Sequence, residues 1–157
     1  MHVKLRLIVM NFLQYFIWGA WLISLGSYVG NSLHFDGVQI GSFFATMGIA
    51  SLFMPGLMGV IADRWIPAQK LLGICHLIGA VFLFAASFQT EYAPLYTCIL
   101  MAVMFYMPTL ALSNTVAYNA LEKKGLDVVK DFPPVRVFGT IGFICAMWKV
   151  DFTGFKN

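Results

Sequence analysis

Five long apolar runs, joined by short connections that hold most of the charge, limit this chain to one kind of fold. The runs cover residues 5–33, 40–61, 71–88, 95–118 and 133–150. Each lies near the ~20 residues that a helix needs to cross the hydrocarbon core of a bilayer. The connections at 63–70 and 89–94 are too short to hold a soluble domain. The chain of 157 residues is 60% hydrophobic and 11% charged, where a soluble domain is about 45–50% apolar and about 25% charged. The expectation is an all-α membrane protein of five transmembrane helices, with no extramembrane domain within residues 1–157.

Composition also removes several function classes. The net charge of +3 is spread over short connections and forms no basic patch with interleaved aromatics, so no nucleic-acid partner is expected. Cys75, Cys98 and Cys145 are odd in number, sit in separate apolar runs and lack metal-ligand spacing. They read as small buried hydrophobes, and no metal or other cofactor is expected. His2, Lys4 and Arg6 resemble the basic start of a signal peptide. The apolar run that follows continues to about Val29, well past an h-region of about 7–15 residues, and no A-x-A site follows it.

Lys and Arg set the expected orientation, because they concentrate on the cytoplasmic side of membrane proteins. Lys4 and Arg6 precede the first span, Arg64 and Lys70 follow the second, and Lys123, Lys124 and Lys130 follow the fourth. The connections at 34–39 and 89–94 contain neither residue type. The N-terminus is therefore expected in the cytoplasm, with Lys149 and Lys156 as the exceptions. Five spans leave the C-terminus outside, and residues 153–157 carry no capping structure. A sixth span of a longer protein is expected to follow; a complete five-span protein is the alternative.

Polar residues inside the spans mark candidate sites. Gln14, Trp18 and Trp21 recur at i, i+4 and i+7, so one helix face carries an amide and two large aromatics. That face reads either as the wall of a polar-solute cavity or as interhelical packing. Thr109, Ser113 and Asn114 form a second polar stripe, open to the same two readings. An amide such as Asn114 must face protein or water at membrane depth. Gly26/Gly30 and Gly37/Gly41 have the spacing that lets helices approach closely. Pro55 and Pro108 are internal helix breakers. His76 reads as a hydrogen-bonded packing residue or, less simply, a proton relay. Asp63 and Arg64 close the second span, either as a solvated turn or as a breakable latch between helix ends.

The stretch Asp131-Phe132-Pro133-Pro134-Val135-Arg136 is the strongest anomaly. Asp131 is expected as the N-cap of the fifth helix, with the two prolines in its first turn. Arg136 then sits near the positive end of the helix dipole, carrying a charge it cannot shed. Arg136, Thr140 and Phe143 recur at i, i+4 and i+7 and offer a cation, a hydroxyl and a ring on one face. Such a face can hydrogen-bond a sugar or base edge and stack on a flat heterocycle. In the alternative, Arg136 snorkels to the headgroups and Phe143 faces lipid.

Gly59-x-x-x-Asp63-Arg64 resembles the loop signature of the major facilitator superfamily. More specifically, the chain resembles its nucleoside:proton symporter family, the bacterial nucleoside permeases, over essentially its whole length. The resemblance rests on Phe12-Leu13-Gln14 with Trp18-Gly19-Ala20-Trp21, Leu25-Gly26-Ser27-Tyr28, Phe35-Asp36-Gly37, Met54-Pro55 and Tyr106-Met107-Pro108-Thr109-Leu110. It continues in Asp131-Phe132-Pro133-Pro134 and Gly139-Thr140-Ile141-Gly142-Phe143. It implies a protein of twelve spans in two six-helix halves that binds solute between them, of which this chain is an incomplete N-terminal half. It further implies proton-coupled nucleoside import across the bacterial inner membrane, with protons as the coupling ion and no enzymatic activity.

By that resemblance Arg136, Thr140 and Phe143 contact the nucleoside, and Asp63 and Arg64 form a cytoplasmic latch; Gln14, Trp18 and Asn114 are candidate cavity residues on the strength of the polar faces above. The proton-carrying acids are expected in the missing C-terminal half, since every acid here lies in a connection or at a span end. The loop after Asp63-Arg64 departs from the superfamily pattern, because 65–69 intervenes before Lys70 restores charge. A five-span assembly subunit and a facilitator of another polar solute remain the competing readings, and these 157 residues alone are expected not to transport.

Overall fold

The computed structural model describes residues 3–153 and contains five long α-helices. They are α1 (Val3–Ser27), α2 (Gly37–Arg64), α3 (Ala68–Ala86), α4 (Tyr92–Glu122) and α5 (Val128–Phe152), and a π-helical turn, Tyr28–Ser32, extends α1. His2 and Lys156, used above in the orientation and signal-peptide arguments, and the stretch 154–157 lie outside the described residues.

Each expected span corresponds to one of these helices. Four stretches are long and apolar enough to cross a membrane by length and composition: Val3–Ser32, Gly37–Arg64, Ala68–Ala86 and Tyr92–Glu122. The fifth helix falls short of the other four because Lys130, Asp131, Arg136, Lys149 and Asp151 interrupt it. Its outer positions Val137, Ile141, Ile144 and Trp148 are nonetheless apolar and exposed. A helix with one face against protein and one against lipid has this pattern. The same signature runs along α3, where Ile74, Leu77, Val81 and Phe84 recur at helical spacing and are all exposed. A soluble protein rarely leaves a stripe of that size uncovered.

Helix ends follow local chemistry. Asp36 caps α2 in a reciprocal box: its carboxylate accepts from the Gln39 backbone N–H at 2.8 Å, and the Asp36 N–H donates to Gln39 Oε1 at 3.1 Å. Two orphan donors are thereby satisfied at the helix start. At the far end of α4, Gly125 takes φ 66°. The Leu126 N–H returns to the Leu121 carbonyl at 3.1 Å and the Gly125 N–H to the Glu122 carbonyl at 2.9 Å. This is a Schellman closure, which needs a left-handed residue and so favours glycine. Leu126 packs against the cluster that contains Leu121, a hydrophobic contact that frequently accompanies the motif.

The chain divides into two compact units, Met1–His34 with Asn114–Asn157, and Phe35–Ser113. In the first, α1 and α5 run parallel. Lys4 meets Asp131 at one end, and Gly19 meets Phe143 and Ala146 farther along both helices. The last part of α4 packs against the start of α1, where Leu7, Ala117, Leu121 and Val135 form a buried cluster. In the second unit α3 and α4 are antiparallel, with His76 beside Tyr106 and Gly79 beside the Ala102 carbonyl. Phe43 is buried there among Phe35, Tyr92 and Tyr96, and the Ser42 and Tyr92 hydroxyls bond at 2.8 Å.

The glycine pattern corrects one expectation. Gly37 and Gly41 have open space where a Cβ would sit, so their spacing makes no close helix contact. Gly37 is the first residue of α2, at the helix end rather than against a neighbour. The close approaches occur instead at Gly19, Gly139 and Gly142, all between α1 and α5. Between helices in lipid, where apolar burial gives little driving force, such backbone proximity supplies dispersion contacts.

Candidate functional site

The start of α5 differs from the sequence expectation. Its N-cap is Asp127, whose carboxylate accepts from the Val129 N–H at 2.9 Å, and not Asp131. Asp131 stands in the first turn and accepts from Lys4 Nζ at 2.7 Å. Pro133 and Pro134 lie inside the helix beyond that turn. Arg136 is therefore past the reach of the dipole's positive end, which falls off within the first turn. Residues 127–130, Asp-Val-Val-Lys, precede the apolar run that begins at Pro133, and they join the helix because Asp127 is as suitable a cap as Asp131.

What holds Arg136 is an aromatic face. Its guanidinium carbon lies 4.0 Å from the centroid of the Tyr15 ring on α1. The ion pairs seen among the described residues are Lys4–Asp131 and Lys130–Asp127, so no described carboxylate pairs with Arg136. A ring face attracts a cation by about 0.5–2 kcal/mol. A ring face takes up none of the guanidinium's five N–H donors in the ordinary sense, so this contact leaves them uncommitted.

The packing beneath this pair is tight. A Cβ on Gly139 would sit 2.6 Å from Tyr15 Cδ2 and 2.9 Å from Arg136 Nη1. Farther along, Trp18 and Phe143 meet edge to face with centroids 6.0 Å apart, and Tyr15 and Trp18 lie 6.0 Å apart on α1. Gly19 backs onto the Phe143 carbonyl, where a Cβ would come within 2.9 Å. Arg136 and Phe143, one end and the other of the predicted face, are thus each matched by an aromatic of α1. Thr140, between them, is exposed.

The remaining candidates are placed as follows. Gln14 is buried on α1. Asn114 Oδ1 and Asn11 Oδ1 are buried and have no hydrogen-bond partner among the described residues. Asn11 is fully enclosed, and its Nδ2 donates to the Leu7 carbonyl at 3.0 Å. Thr109 and Ser113 are also fully buried, and their hydroxyls donate to the Tyr106 and Leu110 carbonyls of their own helix. Asp63 and Arg64 are exposed at the end of α2. His76 donates from Nδ1 to the Leu72 carbonyl of its own helix at 2.9 Å and lies beside the Tyr106 ring. Among the described residues no group of three His, Cys, Asp or Glu side chains is placed to hold a metal ion.

Tyr15 is the residue that sequence reasoning missed. Its phenol looks like one more aromatic in a greasy run. One signal was available: Tyr15 follows Asn11 at i+4 and precedes Trp18 at i+3, so it extends a polar and aromatic stripe.

The family described as nucleoside H+ symporter matches residues 1–155. Xanthosine permease of Escherichia coli (strain K12) is 51% identical over 150 residues, which cover 96% of this chain and 36% of that protein. Nucleoside permease NupG of the same organism is 48% identical over 156 residues, covering 99% of this chain and 37% of the relative. A crystal structure of nucleoside transporter NupG matches with a TM-score of 0.95 over 99% of this chain and 38% of its own. The chain thus spans little more than a third of the length of these relatives.

Proposed function

The chain belongs to the nucleoside H+ symporter family, and from that premise we propose that it forms the N-terminal part of a transporter importing nucleosides with protons. The relatives named above are permeases, one for xanthosine and one for nucleosides, so the shared solute class is a ribose bearing a heterocyclic base. Protons serve as the coupling ion. The mechanism is alternating access in a bacterial inner membrane, with the N-terminus in the cytoplasm.

The observation that carries this reading is the α5 face. Arg136 offers donors, Thr140 a hydroxyl and Phe143 a ring, and α1 supports both ends through Tyr15 and Trp18. The guanidinium suits the acceptor edge of a base or the ribose oxygens, and the ring suits the base face. Gln14, Trp18 and Asn114 extend the polar wall of the same unit. The buried Asn114 Oδ1 is an acceptor suited to a solute hydroxyl or water. Asp63 and Arg64 act as the latch at the cytoplasmic end. The facing wall and the proton-carrying acids come from the rest of the transporter's length.

Competition uptake tests this function. In cells making the full-length protein, uptake of labelled uridine should fall when unlabelled nucleosides are added, and should collapse with a protonophore. Uptake unaffected by either addition would refute it. For the site, Arg136→Ala should weaken nucleoside binding by at least about tenfold while sparing expression, since a hydrogen bond to a charged group contributes about 1.5–3 kcal/mol. Unchanged affinity would return Arg136 to membrane anchoring.

A further inference from the structure

Tyr15 has no place in the face just described, yet it makes the defining contact of Arg136. The Arg136 guanidinium lies 4.0 Å from the Tyr15 ring centroid. Tyr15 itself is buried, with 8% exposure, so its ring is held by its surroundings. Gly139, on the same helix as Arg136, leaves room for both. A Cβ there would overlap Tyr15 Cδ2 at 2.6 Å and crowd Arg136 Nη1 at 2.9 Å. The Tyr15 ring then sits 6.0 Å from Trp18, which touches Phe143. A chain of aromatic contacts therefore joins the cation at one end of the α5 face to the ring at the other.

A free arginine side chain has about 2 kcal/mol of rotamer entropy to lose on binding. A site that holds it beforehand avoids part of that loss when solute arrives. An aromatic face does so without consuming the N–H donors, whereas a carboxylate would take them up and compete with the solute. The absence of a described carboxylate partner for Arg136 fits this arrangement.

We infer that Tyr15 is a positioning residue: it fixes the Arg136 guanidinium for the nucleoside, and Gly139 is the small residue that makes the fixing possible. The inference rests on the proposed role of Arg136 as a nucleoside contact. Tyr15 acts through Arg136 and does not itself recognise the solute. Its ring is required and its hydroxyl is dispensable.

The test is a double-mutant cycle in the purified full-length protein. The dissociation constant is measured for whichever of uridine, inosine and xanthosine the wild type binds most tightly. Tyr15→Leu should raise Kd about tenfold, within the range of a cation–π contact. Tyr15→Phe, which keeps the ring, should restore Kd to within about twofold of wild type. In an Arg136→Ala background, Tyr15→Leu should add nothing further. An equal loss in both backgrounds would overturn the inference, since Tyr15 would then act without Arg136. Failure of Arg136→Ala alone to change Kd would instead refute the proposed site, a different outcome. Should Tyr15→Leu not fold, Gly139→Ala displaces the same pair and takes its place in the cycle: a loss confined to the Arg136 background supports the inference, and an equal loss in both overturns it.

Discussion

Phe12 and Gly142 meet backbone to backbone: a Cβ on residue 142 would come within 3.0 Å of the Phe12 carbonyl carbon and 3.1 Å of its Cα. No rotamer change relieves such an overlap, because both partners are main chain. Gly142→Val should therefore force α1 and α5 apart, at a cost near the upper part of the about 1–3 kcal/mol seen for overpacking. Gly41→Ala, with open space around its Cβ, should be neutral or stabilising by up to about 1 kcal/mol. Thermal unfolding midpoints in detergent distinguish the two, and equal midpoints would show that the close α1–α5 contact has no bearing on stability.

Gly125 closes α4 at φ 66°, where a Cβ is strained. Gly125→Ala should destabilise the protein by about 1 kcal/mol, and Gly125→Asn by less, since Asn tolerates the left-handed region. Unfolding curves that rank Asn at or below Ala would show that the turn opens rather than keeping its geometry.

Lys4 and Asp131 form a 2.7 Å ion pair whose side chains are 49% and 20% exposed. Solvent screening limits such a pair to under about 1 kcal/mol. Asp131 also stands in the first turn of α5, where a negative charge is favourable by about 0.3–1 kcal/mol. Asp131→Asn should consequently cost more than Lys4→Met, and added salt should shrink the difference. Stability measured at low and high salt checks this; a larger loss from Lys4→Met would mean that the pair, rather than the dipole, dominates.

Phe143 meets Trp18 edge to face and is proposed to stack on the base. Phe143→Leu keeps apolar volume but removes the ring. It should leave the unfolding midpoint nearly unchanged and weaken nucleoside binding by about 1–3 kcal/mol, the range for base–aromatic stacking. Affinity that tracks stability across Phe143→Leu and Phe143→Ala would assign the ring to helix packing alone.

Much of this architecture was legible because its signals are local. Apolar runs of bilayer length foretold the five helices, and the i, i+4, i+7 spacing placed Arg136, Thr140 and Phe143 on one face. Boundaries were less legible. Asp127 and Asp131 cap equally well by type, and only the backbone shows that the helix starts at the first, which moves Arg136 away from the dipole. The glycine spacings misled for a related reason. Gly37 and Gly41 match the close-packing pattern, yet the contact forms at Gly19, Gly139 and Gly142, because proximity depends on which helix lies opposite.

The sequence by itself determined that this chain is a set of membrane helices, since backbone polar groups in lipid must be satisfied within each segment. It also determined which side chains share a helix face, since the helical repeat is a property of the backbone. The tertiary structure alone decided what those faces meet. That Arg136 rests on Tyr15, more than a hundred residues away in the chain, follows from the parallel packing of α1 and α5, in which glycines let two backbones close to contact distance. No local rule contains that pairing, because it depends on the relative placement of two helices and on the side chains small enough to permit it.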